Sequence, residues 1–250
     1  MIQPETLANW CSQLLDAGQF DDYCPNGLQV EGLRPITSIV SGVTACEALI
    51  DGAIEAGADA ILVHHGYFWK GEAQVLTGMK ARRIRKLIQH NISLLAYHLP
   101  LDAHIQLGNN AQLGQLLGFQ QMAPIDDPRG LLWAAETAKP MDSIQMAGQL
   151  AQALGRLPLH IDGGNGLISK VAWCTGGAQG YINEAAALGA DAYISGEISE
   201  HTFHSARELG IHYFAAGHHA TERYGVQALG ERIAEEFGIS HRFIDIDNPV

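Results

Sequence analysis

Three places in the 250-residue chain bring imidazoles and carboxylates together: His64 beside His65, His98 four residues before Asp102, and His218 four residues before Glu222. Neutral imidazole nitrogens and carboxylate oxygens, without thiolate, form a borderline-hard donor set. Such a set suits Zn, Mn, Fe or Ni and is poor for Ca or Mg alone. Five or six donors exceed the needs of one tetrahedral ion. The chemistry they point to is a two-metal centre with a bridging carboxylate, in which ions ~3.5–4 Å apart activate a shared water. The competing reading is that these histidines are satisfied by backbone hydrogen bonds or exposed to solvent, and spacing alone leaves both open. Twelve histidines against fifteen Lys and Arg make imidazole the compositional oddity of the chain.

Each group follows an apolar β run, at 60–63, 92–97 and 211–216, where ligands gather in doubly wound sheets because loops and helix N-termini converge at the carboxyl ends of parallel strands. Adjacent residues on a regular strand face opposite ways, so His64 and His65 serve one site only where the pleat gives way to loop, as Gly66 permits. His218 and Glu222 are spaced i,i+4 across a loop-to-helix junction, which puts both on one face of a first helical turn. His98 and Asp102 have the same spacing, but Pro100 disfavours an ordinary helix and predicts a turn.

The elements that position these groups are duplicated. At an offset of 132 residues SIVSGVTACEALIDGAIEAGADAILVHHG (38–66) lies without a gap over KVAWCTGGAQGYINEAAALGADAYISGEI (170–198), and Gly-Ala-Asp-Ala recurs at Gly57 and Gly189. Each copy reads as a β run, a small-residue turn, a helix closed by glycine and a second β run, which is a βαβ unit with parallel strands. A helix and a further strand follow in both copies. The fold class is therefore α/β, with two similar βαβ-containing halves from an internal duplication. The first half spans 1–119 and the second 168–250. Between them 120–167 reads as a short inserted segment or linker, weakly patterned and punctuated by Pro124, Pro128, Pro140, Pro158 and Gly163-Gly164-Asn165-Gly166. An amphipathic helix over 220–237, with Val226, Leu229, Ile233 and Phe237 at helical spacing, and a strand near 242–246 close the chain.

Composition excludes several classes. With 47% apolar and 17% charged residues the chain is globular rather than disordered. A formal charge of −12 works against general nucleic-acid binding. Cys11, Cys24, Cys46 and Cys174 form no C-x-x-C pair and no disulfide framework, which fits a reducing cytoplasm. The first residues carry no basic leader, and the longest uncharged stretch, 103–125, is broken by Gln, Asn and Gly, so neither export nor membrane spanning is expected.

VHHGYFWKG (63–71), YHLPLDAH (97–104) and AGHHATER (216–223) resemble the signature segments of the NGG-one-interacting-factor-three-like family, also called the GTP cyclohydrolase I type 2 family. The likeness is closest to its compact bacterial YbgI-type members and extends over most of the chain, including PNGLQVEG (25–32) and HSARELG (204–210). The resemblance implies two similar α/β halves, a dinuclear metal site in the cleft between them, and a toroidal homohexamer. It implies two divalent ions per subunit held by His64, His65, Asp102, His218 and Glu222, with Glu222 as the bridge. His98 is a further ligand or a proton carrier. His219, where many members have Tyr, is not taken as a ligand. Longer members insert a whole domain between the halves, and functions attached to that domain do not transfer to the roughly fifty residues present here.

Glu197 occupies the repeat position of His65 and is expected to reach the same site as an outer acid or base. Tyr67, Phe68, Trp69 and Lys70 follow the His pair; Tyr67 and Trp69 could stack on a base while Lys70 meets a phosphate, and packing at a subunit interface explains the rings equally well. Thr175-Gly176-Gly177 opens the second crossover as an anion cradle or as a plain tight turn. Two functions follow. One is a cytoplasmic metal-dependent hydrolase acting on a nucleotide or phosphoester small molecule, with His98 and Glu197 handling protons and GTP ring opening as the named candidate. The other is a non-enzymatic metal-handling or interaction scaffold assembled as a ring.

Overall fold

The computed structural model describes residues 1–125, 129–164 and 166–250. Pro128 and Asn165 of the intervening segment lie outside the described residues. In chain order the first elements are α1 (Pro4–Leu14), β1 (Gly27–Val30), β2 (Ser38–Thr44), α2 (Glu47–Glu55), β3 (Ala60–His65), α3 (Gly78–His90), β4 (Ser93–Ala96) and α4 (Leu99–Ala103). They are followed by α5 (Asn109–Leu116), β5 (Gln120–Pro124), β6 (Trp133–Met141), α6 (Ser143–Leu154), β7 (Leu159–Ile161) and β8 (Ile168–Cys174). The last are α7 (Ile182–Ala187), β9 (Ala192–Ser195), α8 (Glu200–Leu209), β10 (His212–Ala215), α9 (His218–Thr221), α10 (Arg223–Phe237) and β11 (Ser240–Phe243). The chain divides into one compact unit of Met1–Leu101 with Gly225–Asp247 and another of Asp102–Tyr224 with Asn248–Val250.

In the first unit the sheet order is β1-β4-β3-β2-β11, with β4, β3, β2 and β11 parallel and β1 antiparallel at the edge. The run Ala-Ile-Leu-Val at the start of β3 is buried throughout, as a parallel strand covered on both faces requires. Leu49, Ile50 and Ala53 of α2 and Ile84 and Leu87 of α3 pack with Ile61, Val63, Leu94 and Ala96 of the strands. Each of the larger side chains contributes about 1.5–3 kcal/mol by leaving water.

In the second unit the order is β5-β6-β8-β9-β10-β7; β8, β9 and β10 are parallel and the others antiparallel. The segment 120–167, weakly patterned as sequence, supplies β5, β6, α6 and β7 to this sheet and its cover. Helix α6 opens with a capping box, in which Asp142 accepts from the Gln145 amide and Gln145 accepts from the Asp142 amide. Trp133, Trp173, Phe119, Met146, Leu150 and Phe214 form the centre of this unit's core.

The duplication is visible atom by atom. Gly57 (φ 66°) and Gly189 (φ 71°) close the two crossover helices in the left-handed conformation. Two residues on, Asp59 accepts from the Thr37 and Ser38 amides, and Asp191 accepts from those of Ser169 and Lys170. At the far end, Tyr97 donates its amide to Val63 and Ala216 to Ser195. No helix among the described residues is long and apolar enough to cross a membrane.

Candidate metal centre

In the first unit the imidazoles collect at the carboxyl end of β3. The last pair that β3 makes with β4 is Val63 with Ala96, whereas its pairing with β2 continues to Thr44 and His65. Both histidines are within the strand, and their rings come together with centroids 4.6 Å apart. His98, just after β4, joins them at 5.1 Å from His64 and 5.7 Å from His65. One ring nitrogen from each of the three lies within 4.8 Å of the other two.

These rings are held from behind. His64 Nδ1 is 2.9 Å from the Tyr97 carbonyl, to which it donates, and His65 Nδ1 is 3.4 Å from the Thr44 hydroxyl. His98 Nδ1 is 2.7 Å from Asp22 Oδ1, while its amide donates to Asn26 Oδ1. Burial pushes the Asp22 carboxyl up, but the hydrogen bond and charge of His98, with Asn26, outweigh that and hold it below the usual carboxylate range. Trp69 sets its ring edge-on to His98 at 4.9 Å.

In the second unit the same end of the sheet gathers carboxylates. Asp102 lies on α4. The structure corrects the expected turn there: Leu99–Ala103 is a helical turn, because Pro100 falls in the first turn, where a missing amide hydrogen costs nothing. Asp102 Oδ1 accepts from Asn109 at 2.8 Å and from the Thr175 hydroxyl at 3.4 Å, and Asn110 caps its backbone carbonyl. His218 and Glu222 share a face as their spacing predicted, with His218 Nε2 3.1 Å from Glu222 Oε2. Asp102 and Glu222 are 6% and 3% exposed, and each places a carboxylate oxygen within 4.8 Å of the other's. Two buried acids this close require a cation or a proton between them.

Glu197 lies behind His218, whose Nδ1 is 2.7 Å from its Oε1. The Tyr213 hydroxyl donates to the Glu197 backbone carbonyl and fixes that residue. Burial pulls the His218 imidazolium down, but Glu222 and Glu197 more than offset this and raise it to about 9. Gly176 (φ 68°) is obligatory beside them, because a Cβ there would overlap the Glu222 carboxylate. Its amide donates to the Thr221 hydroxyl, so the Thr175-Gly176-Gly177 turn spends that donor internally.

Each set fits a divalent first-row ion. Four imidazoles present Nδ1 to a carbonyl, a hydroxyl or a carboxylate. That arrangement orients each ring from its Nδ1 side, and the Nε2 of His218 faces the Glu222 carboxylate. Two buried carboxylates complete the donor types.

Among the remaining sequence-derived candidates, Tyr67 is packed in the core, 4% exposed, with its hydroxyl donating to the Ala45 carbonyl. Trp69 borders His65 and His98 and anchors its indole N–H on the Gly66 carbonyl. Lys70 donates its amide to the Tyr23 carbonyl. His219 is buried, with its amide on the Val250 carbonyl. Sequence reasoning missed Asp22, Asn109 and Asn110. An Asn pair opening a helix inside an apolar stretch is a readable signal for the last two, whereas Asp22 carries none.

The chain matches the family model described as Duf34/NIF3 (NGG1p interacting factor 3) over residues 3–249. It is 57% identical over 249 residues to a GTP cyclohydrolase 1 type 2 homolog of Allochromatium vinosum, covering 100% of this chain and 98% of the relative. A Pseudomonas aeruginosa protein of the same name is 56% identical over 250 residues, with 99% of each chain covered. The solved structure of protein ybgI, described as of unknown function, superposes with a TM-score of 0.96 at 49% identity over the whole of both chains.

Proposed function

The chain belongs to the Duf34/NIF3 family, and from that premise we propose that it is a metal-dependent hydrolase acting on a nucleotide-like substrate. In this reading His64, His65, Asp102, His218 and Glu222 would hold two divalent ions. The observation that carries it is the convergence of donors: His64, His65 and His98 each engage Nδ1 from behind and bring a ring nitrogen within 4.8 Å of the other two, in a chain that also buries Asp102 and Glu222 close together. When bound, such a metal pair supplies Lewis acidity that brings the pKa of water towards neutrality and polarises the electrophile.

The chain's own groups do the rest. His98, with Nδ1 on Asp22, takes a proton from the attacking water at Nε2 and returns it to the leaving nitrogen or oxygen. Glu197 orients His218 and accepts its Nδ1 proton. Trp69 offers a ring face to a base, and Lys70 a cation to a phosphate. Five donors shared between two ions leave positions open, as catalytic sites do. We assign the assembly to a homohexameric ring.

The name carried by the relatives supplies the substrate to try first. Metal-loaded protein incubated with GTP is expected to release formate by hydrolysis at the imidazole carbon of guanine, and Glu222→Gln is expected to abolish release. Equal release by the variant overturns the assignment. Retention of metal with no turnover of nucleotides or phosphoesters returns the interaction scaffold as the better reading. Light scattering of the intact protein checks the hexamer.

A further inference from the structure

A second group of metal-type donors lies at the opposite end of β10 from His218, in the second unit. Strand β7 runs antiparallel to β10, with Ile161 opposite Tyr213 and His160 opposite Phe214. Continued by one residue, that register sets Asp162 opposite His212. Side chains alternate along both strands, so His160, Asp162, His212 and Phe214 share one face. The His160 ring stacks on Phe214 at 4.6 Å and 13°, which fixes its plane.

The three polar groups converge on one point. His160 Nε2 is 3.2 Å from His212 Nδ1, and the same His212 nitrogen is 3.4 Å from Asp162 Oδ1; all three ligand atoms lie within 4.8 Å of one another. These separations are long for charge-assisted hydrogen bonds, which run about 2.7–2.9 Å. Of the other His–carboxylate contacts, those of His98 with Asp22 and of His218 with Glu197 are 2.7 Å, that of His218 with Glu222 is 3.1 Å and that of the exposed His204 with Glu200 is 3.5 Å. Donors about 2.0–2.1 Å from a tetrahedral ion stand roughly 3.3 Å from one another, which matches the two separations measured from His212 Nδ1.

We propose that His160, Asp162 and His212 bind one divalent transition-metal ion, of the zinc, copper or nickel class, with at least one coordination position left to solvent. Two imidazoles and a single carboxylate, without thiolate, select that class over calcium or magnesium. Asp162, exposed over 74% of its side chain, leaves the site open to entry.

The test is a metal count on the full-length protein, stripped with chelator and dialysed against Zn²⁺. His160→Gln and Asp162→Asn are each expected to hold one ion per chain fewer than the parent protein, while Glu222→Gln keeps the ion that they lose. Equal stoichiometry in the parent and both variants overturns the proposal. Asp162→Asn changes an exposed side chain and leaves folding out of the comparison. With Cu²⁺ in a Glu222→Gln background, electron paramagnetic resonance is expected to show coupling to two nitrogens that disappears in the added His160→Gln. An unchanged spectrum contradicts the assignment. Because each arm is read with Glu222 already replaced or independently intact, failure here is separable from failure of the hydrolase reading.

Discussion

Strands β3 and β9 hold the same place in the two copies of the repeat, and they begin alike but end differently. At the start, Asp59 and Asp191 tie down the same pair of backbone amides on the neighbouring strand. At the end, β3 finishes in His64 and His65, while β9 is followed by Gly196 and Glu197. One copy presents imidazoles directly; the other uses its carboxylate to orient His218, which arrives from the next strand end. The lesson is that the side-chain tethers shared by the two copies sit at one end of the sheet, whereas the far end shares only backbone bonds, so its side chains are free to take on different chemistry.

The largest effects should come from removing donors at either strand end. His64→Gln and Glu222→Gln are each expected to weaken metal binding more than 100-fold, beyond the roughly 10–100-fold typical of outer partners, in competition with a chromophoric chelator. A large loss from only one of them would break the view that both copies contribute. Next come the residues behind the rings. Asp22→Asn and Glu197→Gln should cost about 10–100-fold in metal affinity with little change in the melting temperature of the metal-free protein; a purely structural role would move that temperature instead.

The shared ends should respond more weakly, and through stability alone. Asp59→Ala and Asp191→Ala each orphan backbone donors and should cost about 1 kcal/mol in urea unfolding. Asp59 should cost more, since it also accepts from the Thr37 hydroxyl. Metal affinity that fell with either would contradict the division between the two ends.

The smallest effect concerns Ser41, which stands where the second copy has Trp173. Ser41 meets His241 Nε2 at 2.7 Å, and burial lowers the His241 pKa. The unfolded chain therefore binds this proton at the higher pH. The stability is present above the ordinary histidine value of about 6.5 and declines as pH falls below it. His241→Gln should flatten that decline in urea midpoints measured between neutral and mildly acidic pH.

Much of this was legible in the sequence, for definite reasons. The duplication showed because a βαβ unit needs its closing glycine, its aspartate and its apolar strand in fixed order, and Gly-Ala-Asp-Ala keeps them together. The histidines showed because polar groups at or just beyond the ends of buried strands are conspicuous. Strands β5, β6 and β7 were obscured because they pair antiparallel, are partly exposed and include Pro124 and Pro140, so neither an apolar run nor clean alternation marks them. Helix α4 was read as a turn because Pro100 is a breaker only beyond a helix's first turn. Asp22, and the grouping of His160 and Asp162 with His212, depend on pairing between residues far apart in the chain, which no local period encodes.

The most direct test of the central claim is anomalous scattering from crystals grown with zinc. Two peaks ~3.5–4 Å apart are expected, with His64 and His65 together with Asp102, His218 and Glu222 supplying the ligand atoms. Peaks bound by the donors of one copy alone, or none at these side chains, would contradict a shared dinuclear centre.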